Sequence, residues 1–111
     1  MMMVAEDGAG KIYALGAFNN AVFVYDADGK FLNRIGSEGD EPGQFQAVTD
    51  VVVDGQGRIY VSQFFGIQVF SQDGRYLGAI DVDDTAFGLA IDDLDRLYVA
   101  ARTHVYRYTL P

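Results

Sequence analysis

An internal repeat constrains this chain more than any other feature. Asp7-Gly8-Ala9-Gly10-Lys11-Ile12-Tyr13 recurs as Asp54-Gly55-Gln56-Gly57-Arg58-Ile59-Tyr60, and more loosely as Asp92-Asp93-Leu94-Asp95-Arg96-Leu97-Tyr98. Each copy is an Asp, a four-residue turn ending in Lys or Arg, then Ile or Leu, then Tyr. The tyrosines stand 47 and then 38 residues apart. A unit of this length is one supersecondary element that cannot bury an apolar face alone, so the copies must stack.

A second register agrees. Val22-Phe23-Val24-Tyr25, Ile67-Gln68-Val69-Phe70 and Val105-Tyr106-Arg107-Tyr108 end 12, 10 and 10 residues after the three tyrosines. The first two lead through Asp26-Ala27-Asp28-Gly29 and Ser71-Gln72-Asp73-Gly74 into Phe31–Ile35 and Tyr76–Ile80. Asp-Gly between apolar runs marks a hairpin, because Gly supplies the positive φ that the turn needs. Each unit therefore reads as short antiparallel strands, with innermost strands predicted near residues 3–6, 49–53 and 87–91. Val51-Val52-Val53 and Leu89-Ala90-Ile91 are apolar without alternation, which requires cover on both faces. With no helix-period segment in the chain, only other sheets can supply it. Radially stacked blades do so; an open sandwich would leave one face of each sheet wet.

These residues resemble the NHL-repeat β-propeller family. The likeness is carried by Ile35-Gly36-Ser37-Glu38-Gly39-Asp40-Glu41-Pro42-Gly43-Gln44-Phe45, Val51–Asp54, Gly57–Val61 and Ile67–Phe70, in that order. Ala47 stands where the family commonly has Pro and Gln63 where it favours Asp. Glu6 puts a charge where the other copies have Val53 and Ile91, which marks the first blade as edge-like or degenerate. The resemblance implies an all-β fold of about three four-stranded antiparallel blades, the last without its outer strand. The blades span about residues 1–45, 46–84 and 85–111. This is half of the six-bladed ring that the family usually closes, so the expected assembly is a two-fold homodimer completing the circle.

Composition narrows the partners. Half of the 111 residues are apolar, enough to build a core. Sixteen Asp and Glu against eight Lys and Arg give a net charge of −8, which repels nucleic acid and anionic membrane surfaces. Without cysteine there is neither a disulfide nor a thiolate site. Met1–Asp7 lacks the basic and apolar regions of a signal peptide, and no apolar run approaches a membrane span. A cytoplasmic location is the default expectation.

No cofactor or metal is expected. His104 is the only histidine and cannot furnish a histidine-rich metal shell, as in the family's lyase relatives. In a calcium-loop frame, Asp26–Gly29 would place Val24 and Ile35 at ligand positions, so the segment reads as a turn. Asp81, Asp83, Asp84, Asp92, Asp93 and Asp95 read as solvated acidic loops. Gly8–Gly10 and Gly36–Gly39 precede no helix and cradle no phosphate. Nothing places Ser37, Ser62 or Ser71 near His104 for nucleophilic catalysis.

Binding is expected instead on the loops between the second and third strands of the blades. The resemblance puts Phe18, Asn19, Asn20, Gln63, Phe64, Phe65, Arg102 and His104 on one such face. Adjacent aromatics there either anchor a ligand or fold inward to cap the blade. The resulting expectation is a non-catalytic interaction module. A metal-dependent lyase- or lactonase-like enzyme, with Glu6 as its one nameable channel residue, and a structural building block without a ligand are the alternatives.

Overall fold

The computed structural model describes residues 2–64, 66–82, 85–102 and 104–109. Phe65, Asp83 and Asp84 lie outside the described residues. Among those described there are eleven strands and no helix, so none is long and apolar enough to cross a membrane.

Three antiparallel sheets follow one another along the chain. The first holds β1 (Met2–Glu6), β2 (Ile12–Gly16), β3 (Ala21–Tyr25) and β4 (Phe31–Ile35), neighbours in that order. The second repeats it with β5 (Asp50–Val53), β6 (Ile59–Gln63), β7 (Gly66–Phe70) and β8 (Tyr76–Ile80). The third holds β9 (Ala86–Ile91), β10 (Arg96–Ala101) and β11 (Val105–Thr109), with no fourth strand among the described residues. The inner strands begin within one residue of their expected positions. The first blade keeps all four strands, so the charge at Glu6 does not make it degenerate.

The repeat has a direct physical cause. In the middle blade, Asp54 Oδ1 accepts the backbone N–H groups of Gln56 and Arg58, both at 2.9 Å. Its Oδ2 accepts Arg58 Nε at 2.6 Å and the Tyr60 hydroxyl at 2.7 Å. One carboxylate thus folds the turn, holds the basic residue and fixes the first aromatic of the next strand. Asp92, Arg96 and Tyr98 repeat the arrangement, and Asp7 receives Ala9, Lys11 and the Tyr13 hydroxyl. The same turn needs a left-handed residue, supplied by Gly10, Gly57 and then Asp95, whose φ is 58°. Asp tolerates that region better than most side chains. The third copy therefore departs from glycine without changing the turn.

Strand alternation gives every blade two faces. The face of blade 1 carrying Tyr13, Leu15, Val22 and Val24 packs on Val51, Ile59, Val61 and Phe70 of blade 2. The opposite face of blade 2, with Tyr60 and Ile67, packs on Leu97 and Val99 of blade 3. The middle blade is therefore covered on both sides, as its unalternating apolar strands require. The connector of residues 36–49 links the first two blades, and its Phe45 is fully buried between them. Ala47 in this connector has φ 55°, a value closed to proline. That conformation accounts for the loss of the family's common residue there.

Candidate functional site

The sheet register decides which loops share an end. Met2 pairs with Gly16 and Glu6 with Ile12, so the loop after β2 lies beside the start of β1. The β2–β3, β6–β7 and β10–β11 loops and the 36–49 connector accordingly gather at one end. The Asp-based turns gather at the other.

At the loop end, Phe18 is 96% exposed and Phe64 50% exposed, so neither is folded inward as a full cap. Phe87, near the start of β9, is also exposed there, although its apolar neighbours in sequence read as an ordinary inner strand. Arg102 and His104 lie in the β10–β11 loop, with the His104 ring 5.9 Å from that of Tyr106. The amides of the set act differently. Asn20 Oδ1 accepts the Val48 N–H at 3.3 Å, and Gln63 Oε1 accepts the Gln46 N–H at 3.0 Å. The Asn19 carbonyl accepts Arg34 Nη2 at 3.3 Å. These residues hold the connector and its neighbours in place while the aromatics face outward.

Three further polar residues matter that sequence reasoning did not single out. Asp50 is buried in the first position of β5, and its Oδ2 accepts the Leu89 N–H of the next blade at 2.8 Å. Thr49 Oγ1 donates to the Ala86 carbonyl at 2.8 Å and lies 2.7 Å from Ser62 Oγ. Together they staple the inner strands of blades 2 and 3. Gln68, almost fully buried, accepts the Gly43 N–H and donates to the Gln44 carbonyl. Apart from Thr49–Ser62, each pairing spans two dozen residues or more, so local pattern gives no sign of it.

A cleft of about 360 Å3 lies at the turn end, among Glu6, Asp7, Asp54, Asp92, Asp93 and Asp95. Its acidity invites a cation, but Asp7, Asp54, Asp92 and Asp95 are already committed to hydrogen bonds. Burial pushes the Asp54 carboxyl up, yet the Tyr60 and Arg58 side chains and two backbone N–H groups outweigh it and hold it below the usual carboxylate range. Desolvation likewise opposes Asp92, and bonds from Arg96, Tyr98 and Leu94 hold that carboxyl well below the range. Burial and the neighbouring carboxylate raise the Tyr60 and Tyr13 hydroxyls, which stay protonated and donating. Among the described residues, no three His, Asp or Glu are grouped to hold a metal ion.

Three stacked antiparallel blades with an inner-to-outer strand order define a β-propeller segment. Residues 4–106 match the family model DUF5128, described as a 6-bladed beta-propeller, and the chain belongs to that family. Solved structures share the fold. A gluconolactonase from Xanthomonas campestris matches with a TM-score of 0.74 at 23% identity, over 97% of this chain and 37% of its own. BamB from Moraxella catarrhalis gives 0.74 at 15% identity, over 94% of this chain and 29% of its own. Streptogramin B lyase gives 0.71 at 16% identity, over 97% of this chain and 40% of its own. The chain thus spans roughly a third of the length of these structures. A comparison with curated protein sequences finds no match.

Proposed function

We propose that this chain is a non-catalytic binding module of the NHL type, closed into a six-bladed ring by a second copy and working through its loop face. The observation that supports closure is the pair of uncovered blade faces. Blade 1 leaves outward Val4, 63% exposed, with Ile12, Phe23 and Tyr25 on the same face. Blade 3 leaves outward Ala90, Tyr98, Ala100 and Val105, the last 71% exposed. Both faces carry aromatic and aliphatic side chains, with Glu6 on the first and Arg107 on the second, so they suit one another in apolar character and in charge. Each stands in the same place in the repeat as a face that is covered at the two internal contacts. A half-turn rotation about the channel brings blade 3 of each copy onto blade 1 of the other, making the same contact twice.

The likeness to a gluconolactonase and a lyase raises the enzyme alternative. It needs free ligands in the channel, and Asp7, Asp54 and Asp92 are occupied in holding turns. A catalytic metal would have to draw its shell largely from elsewhere in the ring. The loop face, with Phe18 and Phe64 exposed on a braced frame, is better built for a partner.

Sedimentation of Ala100→Glu tests the closure. Ala100 points away from the core on the outward face of blade 3, so a charge there spares the fold and blocks the contact. The expected result is conversion of dimer to monomer with unchanged circular dichroism. An assembly indifferent to that charge would sink the proposal.

A further inference from the structure

The loop end carries a second cleft, of about 150 Å3, lined by Gly39, Asp40, Gln44, Gln46, Gln63 and Gln68. We infer that this cleft binds a neutral, hydroxyl-rich ligand, a carbohydrate, with Phe64 as its apolar platform. The inference rests on the loop face being the working surface, and it names the chemistry that surface takes.

The lining decides the class of ligand. Four of its six residues are glutamines and one is a carboxylate, with no cationic side chain among them. An anion would meet Asp40 and a net charge of −8 without compensation. An apolar ligand would strand the amides from water. Sugar hydroxyls both donate and accept, which is what amides and a carboxylate can satisfy.

The cleft is also preorganised. Gln68 at its base is fixed by Gly43 and Gln44, at 2.9 and 2.6 Å. The Gln63 carbonyl oxygen is engaged by Gln46, which turns its amide NH2 into the donor left for a ligand. The turn of the connector closes through Gln44 N–H to the Glu41 carbonyl and Glu41 N–H to Gln44 Oε1. Phe64 follows Gln63 in sequence, and its N–H donates to the Gln46 carbonyl at 3.3 Å. That contact ties the Phe64 backbone to Gln46 of the lining, and the half-exposed Phe64 side chain is the aromatic ring next in sequence to Gln63. Pyranose rings present C–H faces that pack on aromatic rings while their hydroxyls bond at the edge.

Backbone-amide NMR titration of the intact protein tests the inference, using D-glucose, D-galactose and N-acetyl-D-glucosamine, with gluconate as the anionic control. At least one neutral sugar is expected to shift residues 39–46 and 63–64 and to saturate at roughly millimolar concentration. Asp40→Asn and Phe64→Ala should each weaken that sugar about fivefold or more, with the thermal midpoint unchanged. Gluconate should bind more weakly than the sugar. Absence of any shift with all three sugars overturns the inference and leaves the loop-face reading standing. Shifts indifferent to both variants, or gluconate binding as tightly, also overturn it. Shifts confined to Glu6, Asp54 and Asp92 overturn both readings.

Discussion

The turns of the middle and third blades use the same three residue types in the same geometry, yet they differ in surroundings. Asp54 and Arg58 meet at 2.6 Å with the Asp54 side chain wholly buried; Asp92 and Arg96 meet at 2.7 Å with the Asp92 side chain 26% exposed. The difference is what stands next to each. The Gly55 N–H of the middle turn donates to Asp95 of the following blade at 2.8 Å, so blade 3 covers it. Nothing in the described chain follows blade 3. Burial of the Asp54 turn beyond that of the Asp92 turn therefore follows from the blade that stands beside it.

Removing the carboxylate should show the largest contrast. Asp54→Ala removes the carboxylate that a largely buried guanidinium pairs with and the acceptor of the buried Tyr60 hydroxyl, and is expected to cost about 3–5 kcal/mol. Asp92→Ala leaves partners that water can reach and should cost clearly less. Urea midpoints of the two variants check this, and equal losses would contradict the role of the neighbouring blade.

Deleting only the hydroxyl sharpens the comparison. Tyr60→Phe removes one bond to a buried carboxylate and should cost about 1.5–3 kcal/mol. Tyr98→Phe should lose less under the same denaturant series. If Tyr98→Phe proved the more costly, the ranking of the two turns would be wrong.

Acid titration reads the same groups without mutation. The Asp54 carboxyl is held below its ordinary value in the folded chain, so its contribution is complete above the unfolded-state pKa of about 4. It is lost as pH falls through that value towards the lower folded one. Stability should be level above about pH 5 and decline below 4, less steeply in Asp54→Asn. A slope in Asp54→Asn as steep as in the unmodified chain would assign the decline to other carboxylates.

The smallest effect is expected at Asp95. Asp95→Gly relieves a left-handed side chain, worth roughly 1 kcal/mol, but gives up the bond to Gly55. The two should nearly cancel in thermal unfolding. A large loss would mean that the inter-blade bond far outweighs the relief of backbone strain.

How far the sequence revealed this follows from the range of each interaction. The Asp-to-Tyr motif closes within six residues, so its repetition exposed the turns, strand order and blade number. The sequence did not disclose that Asp, Arg and Tyr converge on one carboxylate. The loop face came from the family resemblance, and Phe18 and Phe64 are exposed there. Asn20 and Gln63 group with those aromatics only because they are neighbours in sequence. Their partners, Val48 and Gln46, lie 28 and 17 residues away, which makes them braces. Asp50 gives no local sign of its role because the N–H it accepts belongs to another blade.

Sedimentation equilibrium of the unmodified chain at micromolar concentration tests the central claim most directly. Ring closure by a second copy predicts a single species of twice the chain mass. A stable monomer would contradict it, because both uncovered blade faces would then tolerate water.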